Sequence, residues 1–142
     1  MKSVRQLLQA KGRDIYSITP EARVYDALKL MAEKEVGALV VTERGRLAGI
    51  ISERDYARKV ILLGKSSQDI PVREIMTGKV ITVSPDQTIE DCMAIMTGKR
   101  IRHLPVTEGE RLVGLLSIGD LVKEVIAEQE QTIRQLESYI HS

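Results

Sequence analysis

The sequence predicts an α+β fold built from two similar units in tandem, the second extended by a long C-terminal helix. Three observations predict it: an internal repeat at fixed spacing, the same order of helical and strand-like apolar patterns in each copy, and an apolar stripe along the last part of the chain. Sliding the chain by 65 residues lays Pro20 to Tyr56 on Pro85 to Leu121 without a gap, and thirteen of those thirty-seven positions are identical. A unit of roughly fifty residues buries too little surface alone. Two copies related by a pseudo-twofold, packing two small sheets around a shared core, answer that need.

Each element follows from its local pattern. VRQLL at Val4 echoes VREIM at Val72 at a slightly different offset, giving each unit a short lead-in. Ile15 to Ile18 and Val80 to Val83 read as leading strands. Val24, Ala27, Leu28 and Met31 recur at i, i+3, i+4 and i+7, one face of an amphipathic helix, and Ile89, Cys92, Met93 and Met96 repeat it. Two short apolar runs, Ala38 to Val41 and Leu47 to Ile51, flank the turn Glu43-Arg44-Gly45 as a hairpin; Leu104 to Val106 and Leu112 to Leu116 are the copy. Ser52 and Asp55 have the spacing of a helix start, and Tyr56, Lys59, Val60 and Leu63 continue it. Each unit is thus strand, helix, strand, strand, helix. The expected division is a first unit with its lead-in over 1–64, a polar, turn-rich linker over 65–71, and a second unit with its helical extension over 72–142.

Composition narrows the function. Apolar residues make up 43% and charged ones 29%, ordinary for a chain that folds. With 21 basic and 20 acidic residues, no Phe and no Trp, there is neither a basic footprint nor an aromatic platform for nucleic acid. Cys92 is the single cysteine, and no apolar signal core or membrane-spanning stretch is present, so the expected location is cytoplasmic, without a membrane partner. His103 and His141 are the only histidines, and there is no phosphate-binding G-x-x-x-x-G-K-[ST] loop or G-x-S-x-G elbow. No metal site, no catalytic residues and no enzymatic activity are expected.

The tandem order, carrying Gly-Ile-Ile-Ser-Glu-Arg-Asp from Gly49 and Gly-Leu-Leu-Ser-Ile-Gly-Asp from Gly114, resembles the cystathionine β-synthase (CBS) domain pair, or Bateman module, over almost the whole chain. It is similar in particular to free-standing bacterial pairs without a catalytic domain, and IRHLPV from Ile101 looks like the family's second strand. The resemblance implies a regulatory module with two clefts between the units. These would hold adenosine-containing ligands, AMP first, then ADP, ATP or NAD(H), with S-adenosylmethionine as an alternative. It also implies signalling of occupancy to a partner and assembly as a homodimer.

Candidate ligand residues follow from the repeat. Ser52 with Asp55, and Ser117 with Asp120, have capping-box spacing; the same geometry offers free N–H groups to a phosphate and a carboxylate to the two hydroxyls of a ribose. The family places ligand contacts at Arg102 and His103, where an Arg fork or an imidazolium suits phosphate. Their counterparts in the first unit are Gly37 and Ala38, which offer only backbone, and Arg54 is a candidate for the missing positive charge there. The clefts are therefore expected to be unequal. Thr82, in the second leading strand, completes the candidates. Finally, Val122, Ile126, Gln129, Ile133, Leu136 and Ile140 alternate by four and three, a short coiled-coil seam with one polar break. The stripe either packs on the module itself, with Val4, Leu7 and Leu8 as a candidate surface, or joins a second subunit. A purely structural dimerising module without a small ligand is the competing expectation.

Overall fold

Ser3 starts the first helix of the computed structural model, which describes residues 2–12 and 14–141. Met1 and Ser142, the outer ends of the two expected units, and Arg13 lie outside the described residues. In α1 (Val4–Lys11) the Ser3 Oγ accepts the Gln6 N–H at 3.2 Å, and Gln6 Oε1 accepts the Ser3 N–H at 2.9 Å. The first unit continues through β1 (Ser17–Ile18), α2 (Val24–Lys34), β2 (Ala38–Glu43), β3 (Arg46–Ser52) and α3 (Glu53–Tyr56), which runs on as a π-helical turn over Ala57–Ile61. The second unit has a 3-10 turn over Val72–Glu74, then α4 (Ile89–Lys99), β4 (His103–Glu108), β5 (Arg111–Ser117) and the 24-residue α5 (Ile118–His141).

The two hairpins are near copies. Ala38 pairs with Ser52 and His103 with Ser117, and both ladders shift register at the same place, Val41/Thr42 and Val106/Thr107. The leading strands are weaker than expected. β1 has two residues paired in parallel with β2, and its counterpart shrinks to one parallel bridge between Val83 and Val106, so the sheets have three strands and two. The helix also ends sooner than expected: Val60 is buried, while Leu63, expected on the same face, lies past Ile61 in the following turn and is exposed.

The core differs from the expected shared one. There are two apolar clusters, and each is completed by the lead-in nearer the other unit in sequence. Val4, Leu7 and Leu8 of α1 pack among Ile89, Cys92, Met96, Leu104, Leu116 and Leu121 of the second unit. Ile70, Val72 and Ile75 pack among Val24, Met31, Leu39, Ile51 and Val60 of the first. The same backbone bonds and ion pairs fasten both: the Val4 and Arg5 N–H groups donate to Gln87 and Pro85 carbonyls, and those of Val72 and Arg73 to Ala22 and Pro20. Arg5 pairs with Asp86 and Glu108, as Arg73 does with Glu21 and Glu43. Val4, Leu7 and Leu8 are therefore core residues of the second unit rather than a seat for the tail. The linker is likewise docked, the Val24 N–H donating to the Ile70 carbonyl at 2.9 Å.

Two glycines of the repeat record this crossing. A Cβ on Gly114 would stand 2.7 Å from Leu8 Cδ2, and one on Gly49 would stand 2.7 Å from the Thr77 carbonyl oxygen and 2.9 Å from Met76 Sδ. Only glycine leaves room for the incoming lead-in.

Candidate functional site

After each lead-in the chain crosses to the other unit, and a cleft opens where it crosses. The Asp55 cleft, about 460 Å³, takes Ser52 to Asp55 and Arg58 from the first unit, Lys79 to Ile81 from the crossing segment, and Arg100 to His103 from the turn between α4 and β4. The Asp120 cleft, about 450 Å³, is its counterpart: Leu115, Ser117 and Asp120 from the second unit, Lys11, Gly12, Asp14 and Tyr16 from the first crossing, and Lys34 to Ala38 from the turn between α2 and β2. Both volumes suit a small-molecule ligand.

Each cleft therefore joins the Ser/Asp pair of one unit to the turn of the other. Arg102 and His103 face Asp55, whereas Gly37 and Ala38 accompany Asp120; Gly37 and His103 line both clefts. Arg54 does not restore a missing charge, because it shares its cleft with Arg102. Positions 35 and 100 make the turns that aim these residues inward: Glu35 and Arg100 both adopt left-handed backbone at φ 55° and end α2 and α4. Thr82 is exposed and outside both clefts, although Val80 and Ile81 just before it line the Asp55 cleft.

The Ser/Asp pairs are capping boxes. Asp55 Oδ2 accepts from the Ser52 N–H at 3.0 Å and the Ser52 hydroxyl at 3.1 Å, and the Asp55 N–H donates to Ser52 Oγ at 3.2 Å. Asp120 Oδ2 accepts from the Ser117 N–H at 2.8 Å, and the Asp120 N–H donates to Ser117 Oγ at 3.2 Å. The Glu53 and Ile118 N–H groups are spent on the carbonyls of Gly37 and Arg102. Two of the first three amides of each helix are thus already bonded, so the expected backbone phosphate seat is largely used up. Positive charge for a ligand has to come from side chains.

Among the cations brought to the clefts by the structure are Lys79, Arg58, Lys34 and Lys11. Arg58 is four residues past Arg54, and Lys11 and Lys79 end the two matching lead-ins, a correspondence visible in the sequence once the lead-ins are aligned on each other. Lys11 Nζ lies 2.6 Å from Asp120 Oδ2 and donates to the Leu115 carbonyl at 2.6 Å. Burial alone would push the Asp120 carboxyl up, but the Lys11 ammonium and the Ser117 N–H outweigh it and hold the group below the ordinary carboxylate range. Burial, with Lys11 and Arg102, holds the His103 imidazole below its usual range against the pull of Asp120. That shift favours the neutral imidazole, which offers a ligand a hydrogen bond.

Cys92 is a core thiol, pushed up to about 11 by burial and the neighbouring Asp91. Among the described residues no group of three or more His, Cys, Asp or Glu side chains could hold a metal ion, and no helix is long and apolar enough to cross a membrane.

Known proteins with this architecture carry the same pair of units. A CBS-domain protein from Burkholderia ambifaria MC40-6 is 56% identical, with a TM-score of 0.87 over 90% of this chain and 96% of its own. The CBS domain-containing protein CBSX3 of Arabidopsis thaliana, named as mitochondrial, is 41% identical over 147 residues, covering 97% of this chain and 71% of the relative. The CBS domain pair of protein MJ0100, solved with 5′-methylthioadenosine and S-adenosyl-L-methionine, is 23% identical with a TM-score of 0.80 over 90% of this chain and 98% of its own, a likeness of fold. The CBS domain pattern matches residues 4–61 and again 72–127. Each match takes in one lead-in, helix, hairpin and helix, and the chain belongs to the CBS domain family, with two copies of the domain in tandem.

Proposed function

We propose that the protein is a non-catalytic, ligand-sensing regulatory module that binds an adenine nucleotide of the AMP, ADP, ATP or NAD(H) kind between its two units and reports occupancy to a protein partner. The observation that carries this reading is the composition of the Asp55 cleft. Ile50, Val80, Ile81 and Ile101 offer an apolar slot for a base, the half-buried Asp55 carboxylate retains acceptor capacity for ribose hydroxyls, and Arg54 and Arg102 stand ready for phosphate. Because the walls come from both units, occupancy changes how the units are held together, which is what a reporting module requires. The adenosine ligands of the MJ0100 pair support the ligand class. A buried, unpaired thiol at Cys92 is in keeping with a reducing cytoplasmic setting.

A thermal-shift series with AMP, ADP, ATP, NADH and S-adenosylmethionine tests the reading. A nucleotide that binds only the folded state raises the unfolding midpoint, by about 2.7 kcal/mol of stability at a hundred times its dissociation constant. No shift with any of them at millimolar concentration would leave the ligand-free interaction module instead. Association of two copies belongs to the same proposal. Ile133, Leu136 and Ile140 on α5 are 54%, 58% and 74% exposed, so the stripe is left uncovered by its own chain. Its four-three spacing suits the same stripe of a second copy.

A further inference from the structure

The two clefts match in outline and differ in charge. Arg54, Arg58, Lys79, Arg100 and Arg102 line the Asp55 cleft, against the carboxylates Glu53 and Asp55. These five cations arrive from three separate stretches of chain, and among the described residues none of them forms a salt bridge. One unpaired surface cation is ordinary. Several converging on one concave space focus a positive potential into it and leave charge for a ligand to neutralise.

Among the described residues the Asp120 cleft has two cations, Lys11 and Lys34, and both are engaged. Lys11 is held by Asp120 and the Leu115 carbonyl, and Lys34 Nζ lies 5.4 Å from the centroid of the Tyr16 ring. Asp14, Glu35 and Asp120 put three carboxylates around the same space. The different pairing of Lys79 and Lys11 goes with a difference one turn along each helix. Lys59, four residues after Asp55, pairs with it at 3.3 Å, which leaves Lys79 open to the cleft. The residue four after Asp120 is Glu124, which pairs with Lys2 at 2.9 Å. With a carboxylate in place of a cation at that position of its helix, Asp120 pairs with Lys11, the counterpart of Lys79.

Resting on the nucleotide reading above, we infer that the protein holds one adenosine polyphosphate per chain, in the Asp55 cleft, and that Lys11 stands in the Asp120 cleft as an internal counter-ion which, with Asp14 and Glu35, keeps polyphosphates out. Guanidinium forks suit the phosphate oxygens, and each added phosphate meets a further cation of the set. AMP fills the base and ribose positions but engages only part of this charge.

Titration calorimetry with adenosine, AMP, ADP and ATP tests the inference on the intact protein at low and moderate salt. The expected result is one ATP or ADP per chain, bound at least about tenfold more tightly than AMP, with the advantage shrinking as salt rises. Arg102→Gln and Lys79→Gln are each expected to lower ATP affinity about fivefold to tenfold and leave adenosine affinity unchanged, while Lys34→Gln in the other cleft changes neither. Two ATP molecules bound equally, equal affinities for AMP and ATP, or full ATP affinity in both cleft variants would overturn the inference and leave the nucleotide reading standing. Binding of none of the four would overturn both.

Discussion

Asp120 and Asp55 each do two jobs at the residue scale, and substitutions separate them. Each carboxylate closes a capping box, and each faces a cleft. Asp120→Ala removes the cap and strips Lys11 of its carboxylate partner, leaving it the Leu115 carbonyl, and is expected to cost about 1 to 2 kcal/mol, measured by chemical denaturation. Asp120→Asn keeps a capping oxygen and is expected to cost less than the alanine variant; equal losses would mean that the cap contributes nothing. His103 gives a pH dependence of definite sign. Its folded-state pKa lies below the unfolded value of about 6.5, so the unfolded chain binds the proton more readily. The stabilisation is complete above that unfolded value and is lost as pH falls below it. The unfolding midpoint is therefore expected to fall between pH 7.5 and pH 5.5, and to fall less in His103→Gln. Asp120, held low, adds loss only in stronger acid, below about pH 4, where a native carboxylate must take up a proton.

At the scale of elements, the crossed lead-ins explain why a glycine recurs in the second strand of each hairpin. The two sites differ in what an added methyl meets. At Gly114 it meets the end of the Leu8 side chain, which can rotate; at Gly49 it meets the Thr77 backbone oxygen, which is fixed by hydrogen bonds between Ile50 and Thr77. Both alanine variants are overpacked, with losses of about 1 to 3 kcal/mol expected, the larger at Gly49. In a Leu8→Ala background the Gly114→Ala penalty should shrink, and a double-mutant cycle measures that coupling; strict additivity would mean that α1 does not press on β5. The tail yields a separate expectation. If α5 joins two copies, Ile133→Lys with Leu136→Lys converts a dimer to a monomer in sedimentation equilibrium while the helical circular dichroism of the core is kept. A wild-type chain already monomeric at tens of micromolar would remove the tail from that role.

At the scale of the molecule, the repeat was legible because its signals are local. Capping spacing, hairpin alternation and the helical recurrence of Val24, Ala27 and Met31 are all set within a few residues, and the elements stand where those patterns lie. Partner choice was not legible. Val4, Leu7 and Leu8 announce an apolar face, but nothing in their spacing says which unit covers it, and the rule that neighbours in sequence pack together pointed to the wrong one. From that single long-range fact follows the composition of both clefts, with Arg102 set beside Asp55 rather than Asp120. The widening after Tyr56 and the stop at Ile61, which leaves Leu63 in the following turn, were invisible for a similar reason, since a helix that widens has the same local propensities as one that does not.

Crossing also determines what can be cut away. Removing residues 1–12 takes Val4, Leu7 and Leu8 out of the cluster around Leu104, Leu116 and Leu121, and removes Lys11 from Asp120. Three buried aliphatic side chains together contribute about 5 to 8 kcal/mol of burial, comparable to the whole stability of a small domain. Cutting the chain after Gln129 removes only exposed turns of α5 and leaves Leu121 and Val125 on the core. The short N-terminal truncation is therefore expected to unfold the second unit, far from the cut in sequence, with hydrogen exchange accelerated in β4 and β5. The β2 and β3 amides, whose own lead-in remains, should stay protected. The C-terminal truncation, although of similar size, should leave both hairpins protected. Protection of β4 and β5 that survives loss of α1 would show that the second unit closes its core without the crossed helix.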